Sequence, residues 1–453
     1  MRLFAALCML STTLFAQTGD YLGLIEIPSA GAKLRMALHL TKQDDGAWKG
    51  TIDSLDQGAR GLPVQVTIEG KSIRFGSGFG MTYEGTFNDA GDAIEGVAVQ
   101  GPQRLQLNFR KVDKIEGPKR PQLPQRPFPY SEEEVVVQSG QLKLGGTLSL
   151  PKGDGPFPAV IFLTGSGAQD RDETLFDHKP FLVISDVLVR NGIATLRLDD
   201  RGVGKSAGML AYSTIEDLAG DAVAAFEFLK ARKEINAAKI GFLGHSEGGV
   251  TGPLAATRTN AAFVIMLAGT GVPGDEILAE QGQVGLKAAG ASPDVMAFQA
   301  RVHSTFLPLV KAERDNAVLS QKIREAWEKW KAEDPRAAAL DGRIGPQLQQ
   351  FLMPALQGFI RHDPRPVLWA LKCPVLALNG ALDTQVLLHQ NLPAITAALA
   401  KAPNPDFTVV SLPNLNHLFQ NAKTGAITEY VQIEETIAPR VLDLILQWLK
   451  VRV

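Results

Sequence analysis

The chain has 453 residues, enough for two or three domains, and its 45% hydrophobic and 21% charged residues exclude a disordered or fibrous polymer. A formal charge of −2 leaves no electrostatic footprint for nucleic acid or an anionic membrane surface. The longest basic stretch, at residues 119–126, is too thin to make a local one.

The first element is an expected secretory signal peptide over residues 1–16. Met1-Arg2 supplies a positive start, residues 3–15 are mostly apolar, and Leu14-Phe15-Ala16 before Gln17 suits cleavage. A buried first helix is the alternative. The apolar run is short for a membrane span, so the mature chain is expected to be secreted or periplasmic, without integral membrane association. Cleavage would remove Cys8 and leave Cys373, so no internal disulfide is expected. Cys373 precedes an apolar run and reads as a small buried hydrophobe.

Residues 17–112 read as a small all-β domain, a barrel or a sandwich. Leu34, Met36, Leu38 and Leu40 alternate with Arg35, Ala37 and His39, the period of a half-buried strand. Short runs follow around Val64, Ile73, Tyr83, Ile94 and Leu105, separated by turn signals such as Asp44-Asp45-Gly46 and Asn88-Asp89-Ala90-Gly91-Asp92. No chemical constellation stands out, and His39 reads as a strand-face residue. The domain could bind, dimerise or cover a site. Residues 113–132 carry Pro118, Pro121, Pro124, Pro127 and Pro129 among Lys, Arg and Gln, and are expected to form a stiff, solvated linker.

From residue 133 the pattern becomes α/β. Leu142, Leu144, Leu148 and Leu150 mark a half-buried strand. Continuous apolar runs follow at residues 159–163, 193–196, 240–243, 263–267, 375–378 and 407–410, as strands buried on both faces of a mostly parallel sheet require. Helical faces lie between them: Leu218, Ala222, Phe226 and Leu229, and later Ile437, Val441, Leu444, Ile445 and Trp448. In such sheets ligands bind beyond the carboxyl ends of the strands. Residues 272–366 carry helical periodicity, prolines and no strand signal, and are expected to form an inserted helical cap. Leu319, Ile323, Trp327 and Trp330 read as its packing stripe.

The candidate site follows from what stands just after each strand. Gly244-His245-Ser246-Glu247-Gly248 is a G-x-S-x-G between a strand and a helix, the context of a nucleophile elbow. A serine hydroxyl needs a base, and the base needs an orienting partner. Of seven histidines, His417 stands in the loop after the strand at residues 407–410, whereas His245 reads as packing behind the serine and His389 starts a helix. Asp383 is the carboxylate in the loop after residues 375–378 and reads as the acid, an Asx-turn being its bland alternative. Oxyanion donors are expected from the backbone N–H groups of Glu247 and Ser166, with Gly165 or Gly167 as alternatives to Ser166. The cluster Asp170-Arg171-Asp172-Glu173 is expected to hold its loop by ion pairs. Asp199-Asp200-Arg201-Gly202-Val203-Gly204-Lys205-Ser206 reads as a structural turn, since its spacing fits no phosphate loop. No ligand cluster of metal-site spacing occurs, so neither metal nor organic cofactor is expected.

These residues, with Thr164-Gly165-Ser166-Gly167 and Gly248-Gly249, make residues 133–453 resemble the α/β-hydrolase superfamily. The resemblance is greatest to bacterial secreted serine esterases and serine-aminopeptidase-like hydrolases. It implies an eight-stranded sheet, a cap, and acyl transfer to water through an acyl-serine. Many members have His-Gly where this chain has Thr164-Gly165. The expected activity is hydrolysis of small-molecule carboxylic esters with Ser246, Asp383 and His417. An exopeptidase or acyl-peptide hydrolase with the same residues is the alternative; Asp275, Glu276 and Glu280 of the cap offer carboxylates for a free amino terminus. A non-catalytic binding protein on this scaffold is the rival from another class.

Overall fold

The structure is a computed structural model that describes residues 17–27, 32–78, 80–101, 103–288, 290–339 and 341–453. The expected signal peptide, residues 1–16, lies outside the described residues. The chain divides into two compact units, residues 1–119 with 175–177, and residues 120–174 with 178–453.

The first unit is a closed antiparallel barrel of β1 (Gly19–Ile27), β2 (Ala32–Lys42), β3 (Trp48–Ser54), β4 (Ala59–Glu69), β5 (Ser72–Ser77), β6 (Met81–Phe87), β7 (Ala93–Gln100) and β8 (Gln103–Val112). β8 returns to pair with β1, Gly23 facing Phe109, so the barrel has no edge strand among the described residues. Leu38, Ile52, Ile73, Tyr83 and Phe109 fill the interior. Alternation along each strand puts these residues inside and polar ones outside.

The second unit holds an eight-stranded sheet of β9 (Ser131–Ser139), β10 (Leu142–Leu150), β11 (Phe157–Leu163), β12 (Ala194–Leu198), β13 (Ile235–His245), β14 (Val264–Leu267), β15 (Val375–Gly380) and β16 (Phe407–Leu412). Their order is β16-β15-β14-β13-β11-β12-β10-β9. β9 and β10 are antiparallel and the other six run parallel. Alternate residues feed two cores. Ile161, Phe242, Met266 and Ala377 meet α2 (Ile215–Lys230), α3 (Gly248–Thr257) and α11 (Leu388–Leu399) on one face. Val160, Leu243, Ile265 and Leu376 meet α1 (Pro180–Arg190) and α12 (Pro439–Lys450) on the other. Continuous apolar runs are what two covered faces demand. Thr214 caps α2 with a reciprocal Asp217 bond, which fixes where that helix starts.

Between β14 and β15 lies the cap, α4 (Gly274–Ala288), α5 (Pro293–Ala312), α6 (Asn316–Glu333), α7 (Pro335–Ala339), α8 (Asp341–Gln350), α9 (Pro354–Arg361) and α10 (Arg365–Trp369). Leu319, Ile323, Trp327 and Trp330 are buried in its own core with Phe306 and Phe351. The stripe is packing and does not line the pocket described below. No helix among the described residues is long and apolar enough to cross a membrane.

The proline-rich segment differs from the expected solvated linker. The Arg120 guanidinium is buried and donates to the carbonyls of Val431 and Ile433, each at 2.9 Å. The Gln122 amide donates to the Ile437 carbonyl at 2.7 Å and its oxygen accepts the Ile437 N–H at 3.0 Å. Proline keeps the backbone extended and unpaired, and the side chains between prolines satisfy the carbonyls and N–H groups ahead of α12. The second unit therefore begins at residue 120 rather than 133.

Candidate active site

β13 ends at His245 and α3 begins at Gly248, so the chain reverses over Ser246 and Glu247. Ser246 has φ of 53°, left-handed backbone that a residue with a Cβ rarely adopts. Its N–H is fixed by the Leu267 carbonyl at 2.8 Å, at the end of β14. The flanking glycines are required by contact. A Cβ on Gly244 would stand 1.9 Å from the Gly248 oxygen, and one on Gly248 would stand 2.0 Å from the Leu163 oxygen. Both obstacles are backbone, so neither can swing aside.

The loops after β15 and β16 bring Asp383 and His417 together. Asp383 Oδ2 lies 2.8 Å from His417 Nδ1, and both side chains are buried. Asp383 Oδ1 accepts the N–H groups of Gln385 at 2.8 Å and Val386 at 2.9 Å. The carboxylate thus makes the Asx-turn with one oxygen and holds the imidazole with the other. Asn416 shapes the second loop, its side-chain oxygen accepting from the Leu418 and Gln420 N–H groups. With Nδ1 engaged by a carboxylate, Nε2 is the ring nitrogen of His417 left for another partner. The Ser246 hydroxyl holds no hydrogen bond among the described residues.

The loop after β11 lies beside the Ser246 turn, a Cβ on Gly165 standing 3.3 Å from the Ser246 Cβ. The Gly165 N–H donates to Glu173 Oε1 at 2.6 Å, which removes Gly165 from the alternatives. Among the described residues the N–H groups of Ser166, Gly167 and Glu247 meet no acceptor. Thr164, at the departure from His-Gly, donates through Oγ1 to Asp200 Oδ1 at 2.6 Å.

Two residues differ from expectation. His245 is no mere packing behind the serine. Its Nδ1 meets Glu173 Oε1 at 2.9 Å and its Nε2 meets the His417 carbonyl at 3.0 Å. Burial opposes a charge on this imidazole, but the Glu173 carboxylate and the His417 carbonyl outweigh it and raise its pKa. Glu173 leaves the ion-pair cluster and turns inward at φ of 53°. Its neighbours behave as expected. Arg171 pairs with Asp199 at 2.7 Å, and Asp172 pairs with Lys179 at 3.1 Å and with Arg197. The turn after β12 is likewise structural, Arg201 pairing with Asp221 at 2.6 Å and Ser206 donating to the Asp199 carbonyl at 2.7 Å. His178 is tied to Thr436 and Tyr430, and His389 to Glu280, away from Ser246.

Ser246, Ser166 and Glu247 open into a cavity of about 470 Å3 whose cap wall includes Ile277, Leu356 and Phe359. Among the described residues of that lining, Glu247 carries the sole ionisable side chain. Burial, reinforced by Asp200, pushes its carboxyl up to about 7. Burial also pushes Asp200 up to about 7, against its hydrogen bonds from Thr164 and Gln169 and with added repulsion from Glu173 and Asp199. A second cavity of about 460 Å3 adjoins the first, sharing Leu278, Gln281 and Gln385. No group of three or more potential metal ligands occurs among the described residues.

A family model described as serine aminopeptidase, S33, matches residues 181–423. Over 155 residues the chain is 34% identical to the esterase EstD of Thermotoga maritima, a stretch covering 34% of this chain and 36% of that protein. The match thus spans about a third of that curated relative. Among solved structures, the chain is similar to a 2,6-dihydroxy-pseudo-oxynicotine hydrolase, with 20% identity, coverage of 72% and 68%, and a TM-score of 0.41. It is also similar to the Pyrococcus furiosus esterase Pf2001, with 16% identity, coverage of 75% and 99%, and a TM-score of 0.44.

Proposed function

The chain belongs to the serine aminopeptidase S33 family of α/β-hydrolases, and from that membership we propose that it hydrolyses carboxylic esters of small molecules through an acyl-serine. The observation that carries the reading is the buried Asp383–His417 hydrogen bond in loops that converge, with the strained Ser246 turn, on the strand ends. Ser246 Oγ attacks the acyl carbon as His417 Nε2 takes its proton. Asp383 orients the ring and stabilises the imidazolium. The N–H groups of Glu247 and Ser166 hold the oxyanion, aided by the N-terminus of α3. The C–O bond to the alcohol breaks as His417 returns the proton to the leaving oxygen. Water, deprotonated by His417, then attacks the acyl-serine and releases the acid. The stretch shared with a relative named as an esterase supports the ester class. Export from the cytoplasm is proposed with it, from the charge and hydropathy of residues 1–16.

One observation favours a second reading, an exopeptidase or acyl-peptide hydrolase. Glu247 lines the pocket, and a substrate ammonium could pair with its carboxyl. The cap carboxylates singled out in the sequence are absent from that lining. Asp275 pairs with Lys311 at 2.7 Å and Glu280 with His389 at 2.6 Å. Rates on p-nitrophenyl esters and on amino-acid anilides of the same acyl groups separate the two. The ester reading expects kcat/KM to favour esters whether or not the acyl group carries a free amine. Turnover confined to anilides with a free amine supports the second reading, and turnover of neither leaves a binding protein on this scaffold.

A further inference from the structure

We propose that Glu173 and His245 form a charged strut, carboxylate to imidazolium, that holds the oxyanion loop and the His417 loop in register with each other. The inference rests on the ester-hydrolase reading for its kinetic consequence and on hydrogen-bond geometry for its protonation state. Both ring nitrogens of His245 face oxygen. The His417 carbonyl at 3.0 Å can only accept, so Nε2 carries a proton. At the other end Glu173 Oε1 lies 2.9 Å from Nδ1 while accepting the Gly165 N–H at 2.6 Å. A carboxylate oxygen takes two donors readily, whereas the hydroxyl oxygen of a carboxylic acid is a poor acceptor. The second proton therefore sits on Nδ1, and His245 is an imidazolium. Glu173 Oε2 is buried without a hydrogen-bond partner among the described residues, so the carboxylate depends on that imidazolium for its countercharge.

The strut spans the two halves of the site. One end fixes the amide before Ser166, and with it the direction of the Ser166 N–H. The other fixes the backbone of His417 itself, whose ring lies 4.7 Å from that of His245. Glu173 stands in the loop after β11, His245 at the end of β13, and His417 in the loop after β16. His178 also joins the first and last of these loops, through Thr436 and Tyr430, but it touches neither the Gly165 amide nor the His417 backbone. The titratable groups facing His245 are Glu173, His417 and, beyond it, Asp383. Asp200 faces Glu173 in turn. Phe419 closes the remaining side. Both residues act through others and touch no substrate, so they are positioning residues.

The discriminating variant is Glu173→Gln. Glutamine has the shape of glutamate, but a neutral amide can keep only two of the three bonds. If its oxygen keeps both Gly165 and Nδ1–H, a neutral His245 presents a bare Nε2 to the His417 carbonyl. If the amide flips to donate to Nδ1, the Gly165 N–H loses its acceptor. The expected result is a loss in kcat/KM of about 10- to 100-fold, the scale of a lost hydrogen bond to a charged group. KM should stay nearly constant. The alkaline limb of the kcat/KM profile, set by His245 losing its proton, should move to lower pH, while the acid limb stays. General damage to the fold would lower the whole profile without moving a limb.

A second measurement needs no substrate. In 15N-histidine-labelled full-length protein at pH 8, one ring should show both nitrogens protonated, and the Glu173→Gln variant should convert that ring to the neutral form. His245→Gln assigns the signal if it folds; the ring that changes in Glu173→Gln assigns it otherwise. A neutral His245 in the wild type at pH 8 overturns the proposal. So does a Glu173→Gln variant within twofold of wild type with its alkaline limb unmoved. A wild-type chain that turns over no ester removes the ester reading instead, and the nitrogen signals still decide the strut.

Discussion

Three adjacent residues divide three tasks. In the proposed mechanism Ser246 presents the hydroxyl and Glu247 offers an N–H to the oxyanion; Glu247 also lines the pocket, and Gly248 makes room for the Leu163 carbonyl. Because that carbonyl cannot move aside, Gly248→Ala should lower stability by about 1–3 kcal/mol in urea titrations, the usual cost of overpacking, and lower activity with it. An unchanged midpoint would contradict the close approach. Glu247→Gln keeps the N–H and removes the charge. In the wild type, raising pH through about 7 should turn the pocket anionic and favour cationic over neutral esters in kcat/KM. In Glu247→Gln that ratio should stay flat from pH 6 to 8; a slope surviving there would place the titrating group elsewhere. The places of Ser246, Asp383 and His417 in the loops at strand ends were legible in sequence because each follows an apolar strand run. The Glu173–His245 pair was not, because its partners lie 72 positions apart and meet only when Glu173 leaves its charged cluster through a left-handed turn. Local composition predicts an ion-pair cluster there, and two of its four members, Arg171 and Asp172, oblige, while Asp170 accepts from Asp172 and Thr174 within its own loop.

At the scale of elements, legibility followed burial. Strands with both faces covered are runs of apolar residues, and β11 to β16 are visible as such. β3 escaped notice because its sequence, WKGTIDS, is mostly polar with a glycine. β9, SEEEVVVQS, lies at the edge of the sheet and buries only Val135 and Val137. The cap was legible as a gap in strand signal, and its aromatic stripe as packing. Trp330 is 2% exposed, stacks near Phe298 at 4.8 Å and belongs to a core separate from those of the sheet. Trp330→Ala should therefore cost about 3–5 kcal/mol locally. Amide hydrogen exchange should rise across α5, α6 and α9 and stay unchanged in β13 to β15. Faster exchange throughout the sheet would show that cap and sheet share one core. Since Ile277, Leu356 and Phe359 form the cap wall of the pocket, the same variant should raise KM more than it lowers kcat.

Over the whole molecule, the buried groups of the second unit set a pH dependence whose sign is fixed. Asp200 and Glu247, raised to about 7, bind protons in the folded state that the unfolded chain releases near 4. Their contribution favours folding at mildly acidic pH and is lost as pH rises toward 7. His245, raised by Glu173, contributes stability that is complete below the unfolded value and disappears as pH climbs through the folded one. Carboxylates held low by arginines, such as Asp199 beside Arg171, act oppositely and lose their contribution in acid. Thermal unfolding of the second unit should therefore have a higher midpoint at pH 6 than at pH 8, and Glu247→Gln should reduce that difference. An alkaline rise in midpoint would contradict the burial of these groups.

The nucleophile is the claim on which the rest depends, and covalent labelling tests it most directly. A fluorophosphonate reacts with a serine hydroxyl only when a base and oxyanion donors surround it. Intact-mass and peptide analysis of the full chain should show a single adduct, on Ser246, absent from Ser246→Ala and much slower to form in His417→Gln. The alanine variant should also lose about six orders of magnitude in kcat on a p-nitrophenyl ester. An adduct that persists in Ser246→Ala, or ester turnover within about tenfold of wild type, would contradict the account.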